Sequence, residues 1–145
     1  MSKPPFTVRA LGEVAIRVAD MGAMVRFYRD RIGLTLLRGG EDAPITFFRI
    51  AGGFGGHTTV LALFDRALQE DAAGGPVTGA QSSLHHIALS LPFAEQEAVM
   101  RWYEETGQPY RVEHFDWVGW RGIFTEDPEG NVVELVAYDD TLLVE

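Results

Sequence analysis

The chain has 145 residues, of which 46% are apolar and 11% aromatic, enough to bury one substantial core in the commonest size range for a single domain. Its formal charge is −9, with 12 basic against 21 acidic residues, so a phosphate backbone or an anionic membrane is repelled more than attracted. The absence of cysteine removes disulfides, thiolate metal sites and cysteine nucleophiles, and any metal has to use nitrogen and oxygen ligands.

Met1-Ser2-Lys3-Pro4-Pro5 leads into no apolar signal-like run, and no stretch approaches the roughly 18 apolar residues of a membrane span. A cytoplasmic protein without nucleic-acid or membrane partners is the expectation. From Leu11 to Val18 the chain alternates, with Val14, Ile16 and Val18 on one face of a strand and Glu13, Ala15 and Arg17 on the other. Asp20 is placed to cap a helix whose stripe is Met21, Met24, Val25, Tyr28 and Ile32, with Gly33 as its stop. Three strands are expected next, over Gly33 to Leu37, Pro44 to Ile50 and His57 to Phe64. The glycine-rich stretch from Gly52 to Gly56 separates the last two, either as a hairpin connection or as a mobile lid.

The order then restarts. Leu84 to Leu91 alternates, with Ile87, Leu89 and Leu91 opposite His86, Ala88 and Ser90, and Pro92 suits a first helical turn. A helical stripe of Ala94, Ala98, Val99, Trp102 and Tyr103 ends at Gly107. Strands are expected over Tyr110 to Phe115, Arg121 to Thr125 and Asn131 to Tyr138, the last two joined by an Asp127-Pro128-Glu129-Gly130-Asn131 turn. Superimposing Glu13 on His86 aligns the two halves and places Glu134 over Leu61. This points to an internal duplication, since neither half alone covers its sheet. The expected organisation is α+β: one domain over 1–145, with module 1 at about 11–65, a linker at about 66–83 and module 2 at about 84–139.

Three groups of residues carry a specific resemblance. Val18-Ala19-Asp20 leads to Phe27-Tyr28-Arg29-Asp30 and Gly33-Leu34; His85-His86-Ile87-Ala88-Leu89 opens the second half; and Asp127 to Asn131 precedes Val133-Glu134-Leu135. Over roughly Leu11 to Tyr138 the chain resembles the vicinal oxygen chelate superfamily of glyoxalase I, bleomycin-resistance proteins, fosfomycin-resistance enzymes and extradiol dioxygenases. The resemblance implies two tandem βαβββ modules whose curled mixed sheets surround a shared cavity, a bound divalent metal and, commonly, a homodimer. Glu134 stands at the family's C-terminal glutamate ligand and His86 at the second module's histidine ligand. Glu13 stands at the first-strand ligand, usually histidine or occasionally glutamine, and Leu61 fills the fourth position.

Physical chemistry supports the same three residues. Strand alternation sets Glu13, His86 and Glu134 opposite the apolar faces, and two carboxylates converging in a partly apolar cavity require a proton or a cation. Two carboxylates and an imidazole suit Mn²⁺, Fe²⁺, Zn²⁺ or Mg²⁺ and leave positions for a chelating substrate. Glu134, inside Val-Val-Glu-Leu-Val, is hard to explain as structure; Glu13 also reads as a solvent-facing residue, and His86 as a satisfied core histidine. Either carboxylate, Glu134 or Glu13, is a candidate general base. Arg17, His57 and Thr59 share the expected cavity-facing parity and are candidate substrate contacts, with a charge partner and strand-end solvation as the plainer readings. Trp120 and Arg121, beside His114 and Trp117, either wall a pocket or cover the core.

The expected activity is metal-dependent lyase, isomerase or dioxygenase chemistry on a small molecule with vicinal oxygens. The alternative from a different class is sequestration of a hydrophobic molecule without turnover.

Overall fold

The computed structural model describes residues 2–68 and 77–144 and divides into two compact units, Met1–Pro76 and Val77–Glu145. Each unit is one βαβββ module. In the first, β1 (Glu13–Val18) is followed by α1 (Met21–Arg26), β2 (Thr35–Arg38), β3 (Ile45–Phe54) and β4 (His57–Asp65), in sheet order β1-β4-β3-β2. In the second, β5 (Ile87–Ser90) is followed by α2 (Gln96–Thr106), β6 (Arg111–Phe115), β7 (Trp120–Glu126) and β8 (Val132–Tyr138), in order β5-β8-β7-β6. Both sheets are mixed, with a parallel first pair and two antiparallel pairs, so the α+β duplication expected from sequence is the architecture found.

The first helix starts as its cap requires, with the Asp20 carboxylate accepting from Ala23 N at 3.0 Å. It then widens into a π-helical stretch at Phe27–Arg31, where Ile32 N donates to Phe27 O. Phe27, off the α-helical stripe, is buried beside Tyr28 where that widened turn begins. Gly33, at φ +87°, ends the helix, and Leu34 N closes the cap on Tyr28 O. Val18, Met24, Val25, Tyr28, Phe48, Leu61 and Leu63 form the core of this unit.

The Gly52 to Gly56 stretch is a strand hairpin and not a lid. β3 runs through Phe54, which pairs with His57 across a two-residue turn of Gly55 (φ +64°) and Gly56 (φ +83°). Of the expected linker, the residues 69–76 lie outside the described residues; helical turns at Arg66–Leu68 and Gly79–Gln81 flank them.

In the second unit β5 is shorter than the alternation of Leu84 to Leu91 suggests. Leu84 N is held by Ser82 Oγ at 3.1 Å, and strand pairing begins only at Ile87. Pro92 precedes a 3-10 turn, Phe93–Glu95, which changes the phase at which α2 begins. Gln96 and Tyr103, seven positions apart, are therefore the buried pair of α2, while Trp102 is 43% exposed and Ala94 and Ala98 are also exposed. Gly107 ends α2 in the left-handed region at φ +68°, as the sequence indicates. Ile87, Leu135, Val133, Ile123 and Ala137 line the buried side of this sheet.

Candidate functional site

The second unit holds the best-formed site. Parallel pairing sets Ala88 beside Glu134, and antiparallel pairing sets Glu134 beside Phe124 and Val136 beside Gly122. His86, Ala88, Ser90, Glu134, Val136, Tyr138, Gly122, Phe124 and Trp120 thus belong to one face of the sheet, opposite Ile87, Leu89, Val133, Leu135 and Ile123.

On that face His86 Nε2 lies 3.2 Å from Glu134 Oε1. Glu134 is only 5% exposed, and burial pushes its carboxyl above the usual carboxylate range, with His86 pulling partly in the opposite direction. The other imidazole nitrogen of His86, Nδ1, lies 2.8 Å from His85 Nδ1, and the His86 ring is 5.9 Å from that of Phe124. A single neutral tautomer satisfies both contacts: His86 donates from Nε2 to Glu134 and accepts at Nδ1 from His85. The opposite tautomer leaves Nε2 as a ligand nitrogen and lets Nδ1 donate to His85, the outer contact that orients a ligating imidazole. His85 is thus the residue that fixes its neighbour's ring.

Two further residues escape a pattern reading. A Cβ on Gly122 would overlap Glu134 Oε2 and come within 2.7 Å of the Phe124 ring, so this glycine is the cradle in which the carboxylate lies. The sequence signal was a glycine in mid-strand with no turn around it. Arg111, paired with Phe124 across β6 and β7, sets its guanidinium carbon 4.3 Å from that ring's centroid and forms an ion pair with Glu113.

The other expected contacts are distributed differently. Trp120 lies on the same face as Glu134, pairs with Tyr138, and is 44% exposed; its neighbour Trp117 is 76% exposed with ring centroids 6.3 Å apart, so neither covers the core. Arg121 is on the opposite face. Its Nε donates to Gln96 Oε1 at 2.7 Å, its guanidinium lies 4.5 Å from the centroid of Phe93, and its Nη2 is 3.5 Å from Glu97, which makes it a strut between helix and sheet and corrects its expected place at the site.

In the first unit Glu13 and Arg17 are exposed on one face of β1, with Ala15 between them. The register corrects the expected parity of the fourth strand: Val14 pairs with Leu61 and Glu13 with Val60, so Leu61, Thr59 and His57 share the face of Val14 and not that of Glu13. The stretch between first- and last-strand partners is one residue longer here, Glu13 to Val60, than in the second unit, Ile87 to Val133. One fixed offset cannot align both pairs, and a one-residue slip exchanges the two faces. Thr59 Oγ1 donates to Leu11 O at 3.0 Å, and the His57 ring packs beside Gly12.

A sequence profile of the Glyoxalase/Bleomycin resistance protein/Dioxygenase superfamily matches residues 10–135. The chain belongs to this superfamily. Solved structures of similar fold include a lactoylglutathione lyase from Agrobacterium tumefaciens, 23% identical over 93% of this chain and 96% of that one, with a TM-score of 0.66. A glyoxalase/dioxygenase from Nostoc punctiforme is 20% identical over 97% and 98%, with a TM-score of 0.69. A fosfomycin resistance protein, FosX, from Listeria monocytogenes is 17% identical over 94% and 97%, at 0.67. No curated protein sequence matches the chain. Members of the superfamily typically use a divalent metal. Among the described residues of either unit, no three His, Asp or Glu side chains converge as a ready metal cluster. No helix among them is long and apolar enough to cross a membrane.

The His86 and Glu134 pair nevertheless fits a divalent ion. One imidazole nitrogen and one carboxylate present adjacent donors on the open face, Gly122 leaves the space that the second carboxylate oxygen occupies, and nitrogen with oxygen is the donor set of borderline and hard cations.

Proposed function

We propose that this chain is a small metal-dependent enzyme of its superfamily, acting on a small molecule with two vicinal oxygens by lyase, isomerase or dioxygenase chemistry. The observation that carries the reading is the 3.2 Å approach of His86 Nε2 to the buried Glu134 Oε1. These two residues are the proposed ligands. Glu13 joins them on the sequence resemblance alone, as the first module's donor and as second carboxylate.

Bound there, a divalent ion (Mn, Fe, Zn or Mg) supplies Lewis-acid polarisation of the substrate oxygens. The chain's own part is positioning and proton transfer. One of the two carboxylates is the proposed proton acceptor: Glu134, whose carboxyl burial raises above the usual carboxylate range while it is not coordinating the ion, or Glu13. His85 orients the His86 ring, and the sheet holds both residues on rigid strands or at a strand's edge. Arg17 on β1 and Trp120 on β7 remain proposed substrate contacts, His57 and Thr59 weaker ones because of their face, and a homodimer is the proposed assembly from the family resemblance.

Elemental analysis of the purified protein should show about one divalent ion per chain, and Glu134→Ala should lose it. Stoichiometric metal in that variant overturns the assignment. A sequestering protein is the second reading, favoured by the exposed aromatic side chains beside the pair. Turnover lost on chelation supports the enzyme; ligand binding that survives chelation, without turnover, supports sequestration.

A further inference from the structure

The open face of the second sheet continues past the His86 and Glu134 pair into a cleft of about 590 Å³. Small-molecule clefts typically span roughly 300–1,000 Å³. Its floor is made of short side chains: Ala88 and Ser90 on β5 and Val136 on β8. Its far wall is aromatic, with Trp120 and Tyr138 cross-strand partners at the ends of β7 and β8, and Phe93 at the rim. Trp120 and Tyr138 are 44% and 58% exposed, which leaves broad ring faces in contact with water.

Charge decides what such a cleft takes. No Lys or Arg is among the described residues that line it. Arg121, next to Trp120 along β7, is turned to the other face and committed to Gln96. The acidic group at the head of the cleft is Glu134, and the chain as a whole carries −9. A sulfonate, phosphate or multiply carboxylated group stacked at the aromatic end, away from the His86 and Glu134 pair, would find no Lys or Arg side chain among the described lining residues to meet it.

We propose that this cleft binds the uncharged aromatic ring system of the substrate, stacked against Trp120 and Tyr138, with the reacting oxygens directed toward His86 and Glu134. The inference rests on the proposed function for the direction in which the ligand lies, but ring binding itself requires no metal.

The chain has three tryptophans, at 102, 117 and 120, so a Trp102→Phe/Trp117→Phe variant reports from Trp120 alone. Calorimetric titration of chelator-treated protein with 2-naphthol should show saturable binding of about one molecule per chain, and Trp120 fluorescence should change with it. Naphthalene-2-sulfonate should neither bind comparably nor compete. Trp120→Ala should weaken 2-naphthol by about tenfold or more. Ser90→Leu, which fills the floor without touching the aromatic wall, should do likewise and serves if the first variant fails to fold.

Equal binding of the sulfonate, or unchanged 2-naphthol binding in the folded variants, overturns the inference. So does loss of a dimer in Trp120→Ala with 2-naphthol binding intact, which would make this face a contact between copies. A protein that binds 2-naphthol but no metal fails the proposed function only, and one that binds metal but not 2-naphthol fails this inference only.

Discussion

Gly122 lies in the middle of β7, its φ is not in the positive range, and no turn surrounds it, so backbone freedom does not account for it. Space does. The Glu134 carboxylate lies where a Cβ would be, and this lets the side chain lie close across the sheet to reach His86. Alanine in a strand ordinarily improves on glycine by roughly 0.5–1 kcal/mol. Gly122→Ala should instead destabilise the protein by about 1–3 kcal/mol, the usual cost of overpacking. It should also lower divalent-ion affinity roughly 10- to 100-fold, the range for lost outer-shell support. Melting curves and metal titration of the variant check both, and unchanged metal affinity would remove Gly122 from the site. Glu134 itself was legible in the sequence because a carboxylate inside an apolar strand asks for a partner. Gly122 stood out only as a glycine inside a strand, because what needs its space appears only when the two strands lie side by side.

Between α2 and its sheet the decisive contact is polar. Gln96 is fully buried; its amide nitrogen donates to Arg121 O at 2.7 Å and Leu135 O at 3.2 Å, and its amide oxygen accepts from Arg121 Nε. One side chain thus ties the first turn of the helix to β7 and β8 and holds the Arg121 guanidinium away from the cleft. Gln96→Leu conserves the volume but leaves a largely buried guanidinium and two carbonyls short of partners. A loss of about 2–4 kcal/mol is expected. The urea midpoint should fall with the denaturant slope unchanged, and an unaltered midpoint would show that Gln96 contributes no net stability. The apolar stripe suggested Trp102 for this inward role. The 3-10 turn at Phe93–Glu95 rotates the helix instead, and periodicity counted along the chain does not register such a change of phase. The π-helical stretch at Phe27–Arg31 is the matching case in the first unit: the helix, its cap and its glycine stop were readable, the widened turn was not.

At the scale of the whole molecule, two modules each carry a core of their own, and the net charge of −9 favours cation uptake. Ligand linkage makes the proposed metal measurable without a substrate. A divalent ion at roughly 100 times its dissociation constant should add about 2.7 kcal/mol to unfolding stability. The melting temperature should rise with added metal, return with chelator, and not respond in Glu134→Ala; equal rises in both proteins would place the ion elsewhere.

The chain order by itself determined the duplicated βαβββ plan, the Asp20 cap, the glycine stops and the Asp127 to Asn131 turn, because each follows from short-range periodicity or from a residue's own backbone preference. It also marked His86 and Glu134. Only the tertiary structure decided which face each strand presents: the extra residue between Glu13 and Val60 turns Leu61 toward Val14, and pairing across β7 sends Arg121 to the helix and Trp120 to the cleft. Register is a relation between strands remote in sequence, and a shift of one position exchanges the two sides of a sheet.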